Sequence, residues 1–271
     1  MSQYSTSTKI KPKSIFDLQQ MKQAGQKISM LTAYDATFSA LMDQAGIDVV
    51  LVGDSLGMVV QGHATTVPVT MHDMLYHTQL VSRGREQAFV IADLPFMSNA
   101  TPEKAAENAA LLIQQGGAQM VKLEGARCDV IQFMVQQGIP VCAHLGLLPQ
   151  SIHQLGKYVV QGKEENEAAR LLAEALAIEQ AGAQLLIVEC IPAVLAQQIS
   201  EQLSIPVIGI GAGVQCDGQV LVSYDMLGIS LGRRPRFTKN YMQQADSVFN
   251  AIKSYISEVK NSRFPAQEHS F

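Results

Sequence analysis

Ionisable side chains stand at the ends of apolar runs in this chain of 271 residues. In the stretch VVLVGDS, four apolar residues and a glycine lead to Asp54 and Ser55. Four further apolar runs finish in the same way, with Asp93, with Lys122 and Glu124, with His144, and with Glu189. If these runs are strands, each of them delivers a side chain that can bind a ligand or move a proton.

Three of these residues are carboxylates of the kind that bind metal ions. Asp54, Asp93 and Glu124 would raise one another's pKa if they met, unless a cation lay among them. They are hard oxygen ligands, and no His or Cys stands at a matching position, which favours Mg²⁺ over Zn²⁺. Taken singly, Asp54 and Asp93 are also compatible with turn or capping positions.

The other ionisable residues suggest different tasks. Glu189 follows the apolar run LLIV, and partial burial would raise its pKa towards that of a general base working near neutrality. Lys122 would balance the charge of a substrate carboxylate, although Lys122 and Glu124, two apart on one strand, could also form a plain ion pair. His144 either hydrogen-bonds a ligand or caps its strand.

The apolar runs belong to a pattern of strand-like segments separated by amphipathic ones. The predicted strands are 28–33, 49–54, 89–94, 120–125, 140–146, 185–190, 206–213 and 226–230. They are almost continuously hydrophobic, as strands covered on both faces of a parallel sheet are. Eight strand–helix units in this length predict an α/β fold of the (β/α)₈ type, with an open doubly wound sheet as the competing architecture. The C-terminal strand ends of a barrel form its active-site face, which is where the ionisable residues stand.

The helical segments carry start and stop signals. In 101–118, Thr101 is an N-cap candidate, Pro102 takes the first helical position, and Gly116 ends the helix. The segment 164–183 closes with a glycine in the same manner. Residues 1–13 show no periodicity and are interpreted as a flexible N-terminal arm. Residues 14–271 are interpreted as a single barrel domain with a helical extension at 240–260.

Composition and charge narrow the possible partners. The net charge of −4 and the pI near 5.9 give no electrostatic footprint for nucleic acid. No apolar stretch reaches the roughly 18 residues of a membrane helix, and the N-terminal residues lack the apolar core of a secretory signal. The four cysteines form no C-x-x-C pair, which indicates reduced thiols in a cytoplasmic protein.

Two further patterns predict no catalytic role. GIGAGVQCDGQ (209–219) has Val214 in a place that breaks the glycine spacing of a dinucleotide fingerprint, so it is interpreted as a tight turn after the seventh strand. In MHDMLYH (71–77), His72 and His77 are five residues apart and do not share a helix face as a metal-binding pair.

Several long motifs together resemble one known family. They are LTAYDA, VGDSLGMVVQGHATTVPVT, ADLPFMS, VKLEG, AHLGLLPQS, LIVEC, and IPVIGIGAG with the D-G-Q that follows it. The resemblance is to the ketopantoate hydroxymethyltransferase family, and it extends from about residue 14 to the C-terminal EHSF. One stretch, GKYVVQG (156–162), departs from the family pattern, because Lys157 and Val159 stand where a second glycine and a basic residue are usual.

The resemblance implies a barrel related to phosphoenolpyruvate mutase and isocitrate lyase, found in the cytoplasm and commonly assembled as a homodecamer. It implies transfer of a hydroxymethyl group from 5,10-methylenetetrahydrofolate, as co-substrate, to the oxo-acid 3-methyl-2-oxobutanoate, on the pathway to pantothenate. It further implies Mg²⁺ on Asp54, Asp93 and Glu124, and Glu189 as proton acceptor. The residues expected to bind the oxo-acid are Asp54, Ser55, Asp93, Lys122 and His144.

Two other functions stay open at this point. One is a Mg²⁺-dependent C–C lyase or mutase acting on an oxo-acid, although lyases of that group carry a K-[KR]-C-G-H type loop that this sequence lacks. The other is a non-catalytic barrel that binds a metabolite. The presence of Glu189 as a base argues against this second alternative.

Overall fold

The computed structural model describes residues 11–232 and 234–271. Most of the predicted N-terminal arm (1–13) lies outside these ranges, so its extent and the domain boundary stay predictions. The last residue of that arm, Lys13, donates its backbone N–H to the carbonyl oxygen of Gln87 at 2.8 Å.

Eight parallel strands form a closed barrel. Their bounds are β1 (Ile28–Thr32), β2 (Val49–Val52), β3 (Phe89–Asp93), β4 (Met120–Glu124), β5 (Val141–Gly146), β6 (Leu185–Glu189), β7 (Val207–Ile210) and β8 (Gly218–Leu221). Each strand pairs with the next along the chain, and β8 closes the barrel against β1 with Gly218 opposite Ile28. The (β/α)₈ prediction is confirmed, and the open sheet is excluded.

Seven of the eight predicted strands are present, but the eighth prediction is wrong. Residues 226–230 form the end of a short helix and the turn after it, and the strand lies at 218–221 instead. The sequence GQVL has a glycine and a glutamine, so it lacks the continuous apolar character of the other strands. The barrel requires both residues, because a Cβ at Gly218 would overlap the carbonyl oxygen of Ile28. The buried Gln219 amide donates to the Gly213 carbonyl oxygen at 2.9 Å and is thereby satisfied.

Helices surround the barrel. Their bounds are α1 (Ile15–Gln23), α2 (Ala36–Ala45), α3 (Leu56–Val59), α4 (Met71–Gly84), α5 (Pro102–Gln114), α6 (Cys128–Gln136), α7 (Ile152–Leu155), α8 (Glu165–Gln180), α9 (Ala193–Gln202), α10 (Ser223–Leu227) and α11 (Val248–Lys260). As predicted, the Thr101 side chain caps α5 by accepting from the N–H of Lys104. No helix of the described ranges combines the length and the apolar character needed to span a membrane.

Helix α11 lies over the seam where the last strand meets the first. The buried Tyr255 hydroxyl is 2.9 Å from the carbonyl oxygens of Met30 in β1 and Gln219 in β8. The helix begins at residue 248, later than the predicted 240, because the Ser247 side chain caps it by accepting from the N–H of Asn250. The C-terminal helix therefore supports the closure of the barrel.

Candidate active site

The strand ends bring the predicted residues to one mouth of the barrel. The parallel register places Asp93 of β3 opposite Lys122 of β4, and Glu124 of β4 opposite His144 of β5. Glu189 ends β6 opposite Gly146. The backbone alone therefore sets these side chains on neighbouring strands at the C-terminal face.

One cavity of about 840 Å³ opens at this face. All seven predicted site residues line it: Asp54, Ser55, Asp93, Lys122, Glu124, His144 and Glu189. A shallower groove of about 470 Å³ runs along α11 and is lined by polar side chains, none of which belongs to the predicted set. The cavity at the strand ends is therefore the candidate active site.

Lys122 and Asp93 form a buried ion pair on the floor of this cavity. The Lys122 Nζ atom lies 2.6 Å from Asp93 Oδ1, and both side chains are almost inaccessible to solvent. The other Asp93 oxygen accepts the backbone N–H of Asp54 at 3.0 Å. Burial acts to lower the pKa of Lys122, but the surrounding carboxylates, led by Asp93 and Glu124, raise it further, so the lysine stays cationic.

Gln150 links two of the three carboxylates, and the sequence analysis missed it. Its side-chain amide donates to Asp54 Oδ2 at 2.8 Å and to the Leu94 carbonyl oxygen at 3.0 Å. Its backbone N–H donates to Glu124 Oε2 at 3.1 Å. Gln150 lies in a short 3₁₀ helix (Pro149–Ser151) after β5 and not at a strand end, so the pattern of strand ends does not include it. The motif LGLLPQS, which carries the family resemblance, is the signal that contains it.

The carboxylates of the cavity fit a cation. Burial, followed by the charge of Asp93, raises the pKa of Asp54, and burial with the charge of Asp54 raises the pKa of Glu124. Glu124 Oε1 is buried and has no hydrogen-bond partner among the described residues. Within those same residues, no group of three or more His, Cys, Asp or Glu side chains is already arranged around a metal position. Oxygen ligands of this kind suit Mg²⁺, which completes its shell with water and substrate oxygens.

His144 lies between Glu124 and Glu189 in an uncharged state. Its Nε2 atom is 3.3 Å from Glu189 Oε2, and its Nδ1 atom is 3.8 Å from Glu124 Oε1. Burial and then the nearby Lys122 charge lower the pKa of His144 well below its usual range, so these contacts are not ion pairs at neutral pH. Neither ring nitrogen has a hydrogen-bond partner in the described part of the chain, which leaves the imidazole available to a ligand.

Glu189 has the pKa of a base that works near neutrality. Burial raises the pKa of this carboxyl to about 8, with the charge of Lys122 opposing the shift and that of Asp93 adding to it. Its backbone is held by the neighbouring turn, because the Leu147 N–H donates to the Glu189 carbonyl oxygen at 2.8 Å. Gly146, with a positive φ of 92°, allows this close approach, since a Cβ there would overlap the same oxygen. The strand end thus fixes the main chain of Glu189 while its side chain faces the cavity.

Tyr34 is a second residue that the sequence analysis did not assign. Its hydroxyl lies 2.9 Å from Ser55 Oγ, and its ring packs edge-on against Tyr224 at 5.7 Å between centroids. Burial raises the pKa of Tyr34, so it remains a neutral phenol. Tyr34 therefore orients the Ser55 hydroxyl, which the sequence placed beside the substrate.

The rest of the cavity wall comes from loops and from the C-terminus. Tyr158 and Val159, in the stretch that departs from the family pattern, line the cavity, whereas Lys157 does not. Phe271 also lines it, and its carbonyl oxygen accepts the backbone N–H of Ala193 at 2.9 Å. The C-terminal EHSF, to which the sequence assigned no role, thus brings an aromatic side chain to the site.

A closed (β/α)₈ barrel whose C-terminal mouth gathers buried carboxylates around a lysine has the form of a barrel enzyme. Residues 12–267 match the model of the family described as ketopantoate hydroxymethyltransferase, and the chain belongs to that family. It is 55% identical over 256 residues to the 3-methyl-2-oxobutanoate hydroxymethyltransferase of Nitrosococcus oceani, covering 94% of this chain and 97% of that one. The protein of the same name from Shewanella frigidimarina is 54% identical over 273 residues and the full length of both.

Solved structures with the same fold are much less similar in sequence. A 2,3-dimethylmalate lyase of the PEP mutase/isocitrate lyase superfamily aligns with a TM-score of 0.57 and 16% identity, covering 79% of this chain and 82% of that one. The phosphoenolpyruvate phosphomutase of Streptomyces platensis subsp. rosaceus gives a TM-score of 0.59 and 12% identity, with 80% and 83% covered. These likenesses show that the chain has the same barrel fold as those proteins.

Proposed function

We propose that this chain transfers a hydroxymethyl group from 5,10-methylenetetrahydrofolate to 3-methyl-2-oxobutanoate and so forms 2-dehydropantoate in pantothenate biosynthesis. Membership of the family supports the reaction. The observation that carries it is the cavity, where one base with a raised pKa, Glu189, shares the mouth with a buried lysine and a set of oxygen ligands. Removal of a proton beside a ketone requires this combination.

We propose that Asp54, Asp93 and Glu124 hold Mg²⁺ when the site is loaded. The orphaned Glu124 Oε1 atom and the raised pKa of Asp54 support this, because both are relieved by a cation. When bound, the ion would supply a Lewis acid that polarises the ketone of the oxo-acid. Ser55, held by Tyr34, and the uncharged His144 complete the expected contacts of the oxo-acid.

Lys122 and Glu189 have different roles in the proposed reaction. Lys122 keeps its positive charge beside Asp93 and balances the carboxylate of the oxo-acid. Glu189 accepts the proton from C3, because a raised pKa makes its ionised form a stronger base than an ordinary carboxylate. The nucleophilic carbon that results attacks the methylene carbon of the folate. Both C–N bonds to that carbon break, water supplies the hydroxyl group, and tetrahydrofolate leaves with the proton taken from C3 and one from water.

The experiment that tests this proposal follows the C3 proton. The protein is incubated with 3-methyl-2-oxobutanoate and Mg²⁺ in D₂O, without folate, and the C3 signal is followed by NMR. We expect loss of the signal that depends on the metal, and a decrease in the exchange rate of roughly 10²–10⁴-fold in Glu189→Gln. The matched control is Glu201→Gln, an exposed change on α9, which should exchange as the wild type does.

The same experiment separates the alternatives. Retained exchange in Glu189→Gln would remove this residue as the base. No exchange in the wild type, even after methylenetetrahydrofolate is added, would favour a binding-only barrel, and cleavage of added C–C substrates would favour a lyase. Cytoplasmic location and assembly as a homodecamer are further proposals that rest on the family, and light scattering tests the second.

A further inference from the structure

The cavity extends well beyond the carboxylate cluster. Its opposite side, here called the far wall, is formed around the ends of β7 and β8. The far wall consists of Ile210, Val220, Val222, Leu231, Phe237 and Phe271, all of which line the cavity. A cavity of about 840 Å³ lies within the range of about 300–1,000 Å³ typical of sites that enclose a drug-sized molecule. A five-carbon oxo-acid held at the carboxylate cluster leaves the far wall uncovered.

One acid, Asp225, lies beside the far wall, where Ser230, Arg234 and Arg236 also line the cavity. It lies in α10, directly after β8, where it lines the cavity and is only 9% exposed. The backbone before it is anchored to β1, because the Ser223 N–H donates to Thr32 Oγ1 at 3.0 Å. One of its oxygens, Oδ1, accepts the hydroxyl of Ser230. The carboxyl is therefore held at a fixed position on a short, well-anchored element.

We propose that Asp225 recognises the pterin ring of the folate co-substrate, an inference that rests on the proposed function. The pterin presents a 2-amino group and the neighbouring N3–H as two parallel donors on one edge. A carboxylate is the acceptor that matches two parallel donors, and charge assistance makes such pairs strong and directional.

The far wall suits the flat faces of the same ring. Leu231 is 86% exposed although it lines the cavity, which leaves apolar surface for a ligand to cover. Phe237 packs against Gly211, where an added Cβ would approach the ring to 3.0 Å. The guanidinium of Arg236 lies over the Phe271 ring at 5.5 Å, and its Nε donates to the Glu268 carbonyl oxygen. The aromatic walls are thus fixed in place before a ligand binds.

This placement also explains why one cavity has two chemically distinct ends. The carboxylate cluster with Lys122 handles the charged oxo-acid, and the far wall with Asp225 handles a neutral heteroaromatic ring that has a donor edge. With both ends filled, the one-carbon unit of the folate lies between them, within reach of the activated carbon.

The test compares folate binding with the folate-free half of the reaction. In Asp225→Asn, we expect the KM for methylenetetrahydrofolate, and the Kd for tetrahydrofolate by calorimetry, to rise roughly 10- to 100-fold, since one acceptor of a charge-assisted pair becomes a donor. The exchange of the C3 proton in D₂O without folate should keep the wild-type rate. Glu268→Gln removes a nearby exposed acid that does not line the cavity and should leave all of these constants unchanged.

Two comparisons separate recognition from a structural role. Ser230→Ala removes the hydrogen bond of Asp225 but keeps the carboxylate, so it should weaken folate binding far less than Asp225→Asn does. A tetrahydrofolate analogue with a methyl in place of the 2-amino group keeps only the N3–H donor, so it should bind the wild type weakly and lose less affinity in Asp225→Asn than tetrahydrofolate does. Equal losses in Ser230→Ala, or an unchanged Kd in Asp225→Asn, would overturn the proposal. Absence of exchange in the wild type would instead refute the proposed function.

Discussion

Replacement of Gln150 by methionine tests how the carboxylate cluster is held. Methionine has nearly the same length and volume but cannot donate a hydrogen bond. The change therefore removes the contacts to Asp54 Oδ2 and to the Leu94 carbonyl oxygen while filling the same buried space. The backbone N–H of residue 150 still donates to Glu124, so Asp54 is the only carboxylate of the cluster that loses a hydrogen bond from residue 150.

The magnitude follows from these two lost contacts. A buried hydrogen bond to a charged group contributes roughly 1.5–3 kcal/mol, and one between neutral groups contributes about 1 kcal/mol. Asp54 and Gln150 are both buried, so solvent does not replace the missing donor. We expect the free energy of unfolding of Gln150→Met to fall by roughly 2–4 kcal/mol in the absence of metal. If Asp54, whose pKa is already raised, takes up a proton, the loss in the free energy of unfolding should lie at the lower end of this range.

The same substitution should weaken metal binding. A side chain that orients a ligand from outside the metal shell typically contributes about 10- to 100-fold to affinity. We therefore expect the Kd for Mg²⁺, measured by calorimetry, and that for Mn²⁺, measured by electron paramagnetic resonance, to increase by roughly this factor. Urea unfolding of the metal-free protein measures the change in the free energy of unfolding separately from the change in metal affinity.

Gln184→Met is the matched control. Gln184 lies at the opposite end of the barrel, before β6, and its buried side-chain oxygen has no partner within the described ranges. The same chemical change there should cost little stability and leave metal affinity intact. Wild-type stability and wild-type metal affinity in Gln150→Met would refute the view that Gln150 positions Asp54.

Two further predictions concern the backbone at Glu189 and an ion pair outside the site. Gly146→Ala should lower the free energy of unfolding, measured with urea, by about 2–4 kcal/mol, because φ is 92° and the new Cβ meets the Glu189 carbonyl oxygen. The control is Gly138→Ala, where φ is 80° but the space around the new Cβ is open, so only the backbone conformation is penalised. Equal losses in the two variants would contradict the overlap at Gly146. At Glu258, burial acts to raise the pKa, but hydrogen bonds from Lys239 and Tyr241 lower it overall. Glu258 therefore contributes to the free energy of unfolding above its unfolded pKa of roughly 4.3, and this contribution is lost as the pH falls through the lower folded pKa. In Glu258→Gln, the decrease in stability below about pH 4.3 should be smaller than in the wild type, by less than about 1 kcal/mol. An unaltered pH profile would contradict this assignment.

The strand ends were predictable from the sequence, because the apolar run of a strand and the polar residue that ends it are neighbours in the chain. A run such as VVLV followed by Gly-Asp-Ser places Asp54 at an end whatever the rest of the chain does, and parallel pairing then brings Asp93, Lys122, Glu124 and Glu189 to one mouth. The cap of α5 was likewise readable, since Thr101 and Pro102 act within one turn. The roles of these residues are not local signals and stay predictions.

What the sequence did not reveal depends on contacts between distant residues. The eighth strand needs glycine because the Ile28 backbone, 190 residues earlier, lies against Gly218. Gln150 contacts Asp54, which lies 96 residues earlier in the sequence. Phe271 lines the cavity because the C-terminus lies beside Ala193. No periodicity or spacing records such pairs, so they emerge only from the packed barrel.

Buried ionisable residues indicate positions where the chain is less stable than it could be and where a ligand or a reaction explains the choice of residue. Asp54, Asp93 and Glu124 are buried with one cation, Lys122, among them, and a fold selected for stability alone would place apolar side chains there. Asp225 breaks the same rule beside the far wall, where Arg234 is a nearby positive charge and, among the described residues, only Ser230 donates a hydrogen bond to its side chain. A buried acid left with so few protein partners implies a partner from outside the chain. We propose a cation as that partner for the carboxylate cluster, and a ligand edge that carries two donors for Asp225.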